Sequence, residues 1–271
     1  DSFLIKVYDL LFDEKPENLK VALDAYKEAL EDESAEELKD QLKSECHYII
    51  EPELTYTYFA ETARNNAFNR EQLQKAFNNI EQSDPLFADL FTDIDLYSNR
   101  LGTGDQKQSD TVSSLIKEID KADLLNTDAD ILGNAYEYLI GQFASETGKK
   151  AGEFYTPQPV SKILTRIAIA GQEDKRGLLV YDPCMGSGSL LLNAKKYAKE
   201  PQYIRYFGQE LMTSTYNLAR MNMFLHGIAP ENQKLRNGDT LDEDWPTGEE
   251  TDFDMVLMNL SLIHISEPTR P

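Results

Sequence analysis

The stretch Val180-Tyr181-Asp182-Pro183-Cys184-Met185-Gly186-Ser187-Gly188-Ser189-Leu190 constrains this chain more than any other. Leu178 to Tyr181 is a short apolar run and reads as a buried parallel strand. Asp182-Pro183 ends it, because proline donates nothing to a ladder and restricts the residue before it. Gly186-Ser187-Gly188 lets the backbone approach a ligand closely. Leu190, Leu191, Ala194 and Tyr197 then recur at roughly helical spacing. The unit is strand, glycine loop, helix, and it offers N–H groups to something polar or anionic at the carboxyl end of a strand. It is not the dinucleotide fingerprint Gly-x-Gly-x-x-Gly, since Leu191 stands at the third glycine position and an acid, Asp182, leads the loop.

The chain has 271 residues, of which 41% are apolar, enough for one large or two modest domains. No apolar run approaches membrane-spanning length, and the start, Asp1, does not resemble a signal peptide, so the natural N-terminus is expected to lie upstream. Cys46 and Cys184 lack metal-ligand spacing, and His47, His226 and His264 form no pattern. A reduced cytoplasmic setting without a zinc site is expected. The net charge of −21 argues against this chain alone wrapping a phosphate backbone.

Residues 1–145 read as an all-helical domain. Ser34-Ala35-Glu36-Glu37 fits a capping box, with Leu38 and Leu42 behind it. Leu73, Phe77 and Ile80 make one apolar stripe, and Leu115, Ile116 and Ile119 another. Leu132, Tyr136, Leu139, Ile140 and Phe143 define an amphipathic helix. Leu101 to Asp110 reads as a polar loop.

From residue 146 to 259 the pattern changes. In Gly152-Glu153-Phe154-Tyr155-Thr156-Pro157-Gln158-Pro159, Thr156 can N-cap a helix whose apolar face is Val160, Ile163, Leu164 and Ile167. Tyr203 to Gly208 reads as a second strand that delivers Glu210, where a doubly wound sheet grips ribose hydroxyls with a carboxylate. Met212 to His226 reads as a helix with Thr213 or Ser214 as N-cap. A short strand follows around Lys234 to Arg236, and then Asn237-Gly238-Asp239, where Asp239 is either a site acid or a plain turn residue. Phe253 to Met258 is an apolar strand ending at Asn259. Cys184 reads as a packing residue, with no histidine beside it in sequence to make it a nucleophile.

The acid-led glycine loop, with Phe-Tyr-Thr-Pro before it and Glu210 after it, resembles the S-adenosylmethionine-dependent DNA N6-adenine methyltransferases. The chain looks most like the methylation subunit of a type I restriction–modification system. Phe77-Asn78-Asn79-Ile80, Asp93 to Gly102 and Asp130 to Ile140 are similar to the helical N-terminal domain of those subunits. The resemblance implies a Rossmann-like α/β domain of mostly parallel sheet, here truncated, with S-adenosyl-L-methionine as cofactor and no metal. It implies that Glu153, Phe154, Tyr155, Thr156 and Pro157 lie over the cofactor's methionine end. Asp182 then faces its ammonium, Gly186, Ser187 and Gly188 hold its amino-acid end, Glu210 holds the ribose, and Asp239 lies near the adenine. It further implies duplex DNA with the target adenine flipped out, a separate specificity subunit, room for an endonuclease subunit, and no membrane.

The family's catalytic tetrapeptide is Asn-Pro-Pro-Phe/Tyr, so Asn259 is the implied catalytic residue. This sequence departs there: Leu260 and Ser261 stand where the prolines belong. Residues 260–271 resemble a translated transposase adapter from sequencing libraries, so they are expected to be a non-native tail and the chain as written is expected to be inactive. Two alternatives stay open: a fragment of a single-chain restriction enzyme–methyltransferase fusion, and a non-catalytic scaffold that keeps the pocket only for stability.

Overall fold

In the computed structural model, residues 2–122, 129–146, 155–242, 245–248 and 251–260 are described. The chain divides into two compact units, Asp1–Thr127 and Asp128–Pro271. The expected boundary at 145/146 therefore moves toward the N-terminus, and the last helix assigned to the helical domain belongs with the sheet.

The first unit is helical: α1 (Ser2–Phe12), α2 (Leu19–Glu31), α3 (Ala35–Cys46), α4 (Tyr56–Arg64), α5 (Arg70–Ser83) and α6 (Asp105–Ile119). Phe3, Leu4, Val7, Leu23, Tyr26, Leu38 and Leu42 close one core, in which the Phe3 and Tyr26 rings meet edge to face. Phe59, Ala63, Ala76, Leu96, Val112 and Ile116 close a second. The capping box does not form. Asp32 instead accepts from the Ser34 N–H at 3.0 Å and from its hydroxyl at 2.9 Å. The loop expected over 101–110 is cut short, because Gly104 caps α6 and the polar residues from Asp105 form its first turns. Arg70 explains why those turns hold: buried beneath Tyr97, it donates to Gln108 at 2.5 Å and to Asp105 at 3.0 Å. The α6 stripe is rotated accordingly, with Val112 and Ile116 inside and Leu115 and Ile119 exposed.

The second unit begins with α7 (Ala129–Glu146) and α8 (Gln158–Ile169). Then come β1 (Leu179–Asp182), α9 (Ser189–Leu192) with a 3-10 turn over Asn193–Lys196, β2 (Arg205–Glu210), α10 (Thr213–Leu225), β3 (Gln233–Asn237) and β4 (Met255–Val256). The four strands form one sheet in the order β3-β2-β1-β4, all parallel. Val180 faces Tyr206 and Met255, and Glu210 faces Asn237. The core holds Leu178, Val180, Met185, Leu190, Leu191, Tyr206, Ala219, Met223 and Met255. Asp254 pins the start of β4: its carboxylate accepts from the Leu179 N–H at 3.0 Å and pairs with Lys175. Trp245, the only tryptophan, lies near Tyr181 and Phe207, whose rings also meet Phe253.

Two helices present different faces from those the apolar spacing suggests. In α8, Ser161 and Thr165 are buried while Ile163 and Ile167 are 61% and 70% exposed. Pro157 takes the N-cap position that Thr156 was expected to fill. In α7, Leu132, Leu139 and Phe143 are exposed, and the inward residues include Gly133, Glu137 and Ile140. Likewise Met212, not Thr213 or Ser214, precedes α10, and Thr213 bonds to Asn237 at 2.9 Å.

Gly133 is where α7 meets α10. A Cβ there would lie 2.6 Å from the His226 ring, which is buried and held through Nδ1 to the Asn222 carbonyl at 2.9 Å. The ring has no easy retreat, so Gly133→Ala is expected to destabilise the unit by about 1–3 kcal/mol, read as a lowered melting temperature.

Candidate functional site

Sheet order locates the crevice. From β1 the chain steps outward to β2 and β3, then crosses back to pair β4 with the other side of β1. The loops after β1 and β4 therefore diverge, leaving a cleft at the carboxyl edge, the usual ligand position in such sheets. Because all strands are parallel, the glycine loop after β1, Glu210 at the end of β2, Asp239 after β3 and Asn259 after β4 share that edge.

The loop itself is shaped by backbone that side chains resist. Gly186 and Gly188 have φ of 54° and 77°, which only glycine adopts without strain. Asp182 Oδ1 accepts from the Cys184 N–H at 2.9 Å, and the Met185 N–H donates to the Gln209 carbonyl at 2.9 Å. Asn222 donates to the Ser187 carbonyl at 3.0 Å, so α10 holds the loop from behind.

Glu210 reaches back to the same loop. Its Oε2 accepts from the Gly186 N–H at 3.1 Å and its Oε1 from the Met212 N–H at 2.8 Å. The glycine loop and Glu210 thus line one hollow. The Gly188 N–H is also engaged, with the Met185 carbonyl at 2.8 Å. A ligand group that uses the Gly186 amide would have to take it from Glu210.

The hollow is acidic. Asp182 is 1% exposed, and burial pushes its carboxyl up to about 7, helped by the charge of Glu210 and opposed by the Cys184 N–H. Burial also raises Glu210, against the N–H groups of Met212, Gly186 and Leu211. The Cys184 thiol is pushed up by burial and by Asp182, Glu210 and Asp239, which keeps it protonated and supports its reading as a packing residue. Such a field favours a ligand that brings positive charge.

The raised Asp182 carboxyl makes stability depend on pH. Folded, it titrates near 7; unfolded, near ~4. The folded chain therefore binds this proton more tightly. The contribution is fully present below about pH 4 and is lost as pH rises through about 7. Asp182→Asn keeps the acceptor for Cys184 and cannot ionise. Relative to wild type, its melting temperature is expected to gain several degrees at pH 8 over its value at pH 5, measured by thermal denaturation at both.

Asp239 caps its own turn, accepting from the Leu241 N–H at 2.9 Å, while its charge reaches Cys184. The neighbouring Thr240 hydroxyl donates to the Pro183 carbonyl, tying the loop after β3 to the glycine loop. Asp239 is thus a turn residue whose charge reaches the glycine loop.

Glu153 and Phe154 lie outside the described residues. Tyr155 is partly buried and Pro157 exposed. Thr156 is buried, and its hydroxyl accepts from Asn259 Nδ2 at 3.2 Å, bringing two expected site residues together across 103 positions. Burial raises the Tyr155 phenol, with Glu137 adding to it.

Sequence reasoning missed the polar seam behind this segment. Gln158 donates to Glu137 Oε2 at 3.0 Å and accepts from Asn193 at 3.4 Å. Asn193 also donates to Ser161 at 2.5 Å and to the Ser189 carbonyl at 3.3 Å. The available signal was a carboxylate on the Gly133, Tyr136, Glu137, Ile140 stripe of α7, at core spacing. Among the described residues no group of three or more His, Cys, Asp or Glu is placed to hold a metal ion, and no helix is long and apolar enough to cross a membrane.

Residues 127–262 match the N-6 DNA Methylase family and residues 3–119 the HsdM N-terminal domain. The type I restriction enzyme MpnII methylase subunit of Mycoplasma pneumoniae is 33% identical over 249 residues, 84% of this chain and 46% of that protein. The MjaVIII methylase subunit of Methanocaldococcus jannaschii is 38% identical over 130 residues, 48% of this chain and 22% of that one. The crystal structure of a type I restriction–modification system methyltransferase subunit from Streptococcus thermophilus is 54% identical, with a TM-score of 0.89, covering 94% of this chain and 54% of that chain. This chain thus spans about half the length of these longer matches.

Proposed function

The chain belongs to the N-6 DNA methylase family, and from that premise we propose that it derives from the methylation subunit of a type I restriction–modification system. The activity proposed for the whole protein is adenine-specific: methyl transfer from S-adenosyl-L-methionine to adenine N6 in duplex DNA. The observation that carries this reading is the shared hollow of Glu210 and the glycine loop at the carboxyl edge of the sheet.

The residues present fit that cofactor. Its sulfonium and ammonium are cationic, and the hollow gathers Asp182, Glu210 and Asp239. The two phosphates of a nicotinamide dinucleotide would meet the same field as repulsion. Glu210 would accept from the ribose hydroxyls, the glycine loop and Tyr155-Thr156 would hold the amino-acid end, and Asp239 would lie toward the adenine, with Glu153, Phe154 and Pro157 belonging to the covering segment. When bound, the cofactor supplies an already activated methyl group, so no covalent enzyme intermediate is needed.

Asn259 is the residue proposed to act on the target base. Its side-chain oxygen would accept from the N6 amine of a flipped-out adenine, raising electron density on that nitrogen. Its Nδ2 donates to the Thr156 hydroxyl at 3.2 Å, which supports a contact to the base made through the oxygen. Leu260 and Ser261 replace the family's prolines, so the chain as written is expected not to transfer methyl groups.

The net charge of −21 supports a division of labour in which a specificity subunit supplies most of the DNA contact, with an endonuclease subunit able to join. The test uses the full-length parent assembled with its specificity subunit. Incubation with duplex DNA and labelled cofactor should yield N6-methyladenine by mass spectrometry of the digested DNA. Label on cytosine, or none with Asn-Pro-Pro intact, would reject the proposal.

A further inference from the structure

Glu137 is a buried carboxylate that no step above uses. It is 5% exposed, on the inner face of α7. Gln158 donates to Oε2 at 3.0 Å, while among the described residues Oε1 has no hydrogen-bond partner. A buried acceptor left open is costly, and it calls for a donor from water or a ligand. The surroundings say where that place is. Through Gln158 the carboxylate is linked to Asn193, and Asn193 donates to the Ser189 carbonyl one residue past the glycine loop. Its charge also reaches the Tyr155 phenol, which packs near Gly141 on the same helix, and the next residue in the chain, Thr156, meets Asn259. Glu137 therefore lies at the junction of the covering segment and the first turn after the glycine loop.

Asp182, the acid assigned to the ligand's ammonium by resemblance, fits that task less well. It is buried beneath the loop, with Oδ1 engaged by the Cys184 N–H. We infer that Glu137 is a further binding residue of this site, whose open Oε1 accepts from the ammonium at the amino-acid end of the ligand. The inference rests on the proposed cofactor reading and sharpens it: the ligand's amine is recognised from α7.

The test compares two probes by isothermal titration calorimetry on the 271-residue chain. S-adenosylhomocysteine carries the amino-acid end; 5′-deoxy-5′-methylthioadenosine lacks it and keeps the nucleoside. Glu137→Gln retains an acceptor for Gln158 but turns an amide toward the ammonium. Binding of S-adenosylhomocysteine should weaken at least tenfold, and binding of the truncated nucleoside should change less than twofold. The ratio of the two affinities within one variant cancels any loss of folded protein. Glu137→Asp, which keeps the charge one methylene further back, should shift the ratio in the same direction by less, and serves if the glutamine variant does not fold. An unchanged ratio in both variants overturns the inference and leaves the cofactor reading standing. Failure of wild type to bind either probe overturns both.

Discussion

Gly208→Val is expected to destabilise the sheet unit severely. Gly208 sits in the middle of β2, opposite Asp182 on β1. A Cβ there would lie 2.3 Å from Met185 Sδ, 3.0 Å from Leu191 Cδ1 and 3.1 Å from Leu235 Cδ2. Met185 could bend away in an open site, but it is buried, as is Leu191, and both belong to the same core. Valine adds two methyl groups beyond that Cβ. Overpacking of this kind costs about 3 kcal/mol or more, a large share of the ~5–15 kcal/mol that holds a typical domain together. Trp245 lies beside Phe207, the next residue in β2, so its fluorescence reports the loss. The variant should show an unfolding midpoint shifted strongly to lower denaturant. The helical unit, followed by the circular dichroism that remains, should retain its own transition. A midpoint within error of wild type would mean that β2 does not pack against the glycine loop as described.

The second large effect is on binding. Glu210→Ala removes the acceptor shared by the Gly186 and Met212 amides and the carboxylate proposed for the ribose. Affinity for S-adenosylhomocysteine should fall by about 100-fold, equivalent to ~2.7 kcal/mol. Stability should move little or rise, because burial holds the Glu210 carboxyl above its ordinary range and removing it relieves that strain on the ionised form. A loss of binding with no loss of stability separates a ligand contact from a structural one. If binding survives intact, Glu210 serves only to brace the loop.

These two residues also show what could be read from the sequence. Gly186 and Gly188 announce themselves because positive φ demands glycine in a recognisable order after a strand. Glu210 follows from strand spacing and from the rule that open parallel sheets bind at their carboxyl edge. The parallel order and the helical N-terminal unit follow from periodicity and resemblance. The facing of α7 and α8 was not legible in the same way. Apolar spacing picks Val160, Ile163, Leu164 and Ile167 as the inner face of α8; of these only Leu164 packs on the core, whereas the chain buries Ser161 and Thr165 there. The reason is local satisfaction: Ser161 accepts from Asn193, and the Thr165 hydroxyl donates to the Ser161 carbonyl at 2.8 Å, so a polar seam replaces an apolar one. Hydrogen bonds that join residues 20 or more positions apart leave no periodic trace. Glu137, Gln158, Asn193 and Thr240 were overlooked for that reason. The grouping of α7 with the sheet has the same origin: the approach of Gly133 to His226 and the bond from Gln158 to Glu137 join positions far apart in the chain.

The most direct measurement is a crystal structure of the chain with S-adenosylhomocysteine. The nucleoside is expected across the carboxyl edge from β1 toward β2 and β3, its ribose hydroxyls on Glu210 and its amino-acid end between the glycine loop and Tyr155-Thr156. Glu210 should then have released the Gly186 amide. Ligand bound anywhere else, or a soaked crystal in which Glu210 still holds Gly186 over an empty edge, would contradict the account.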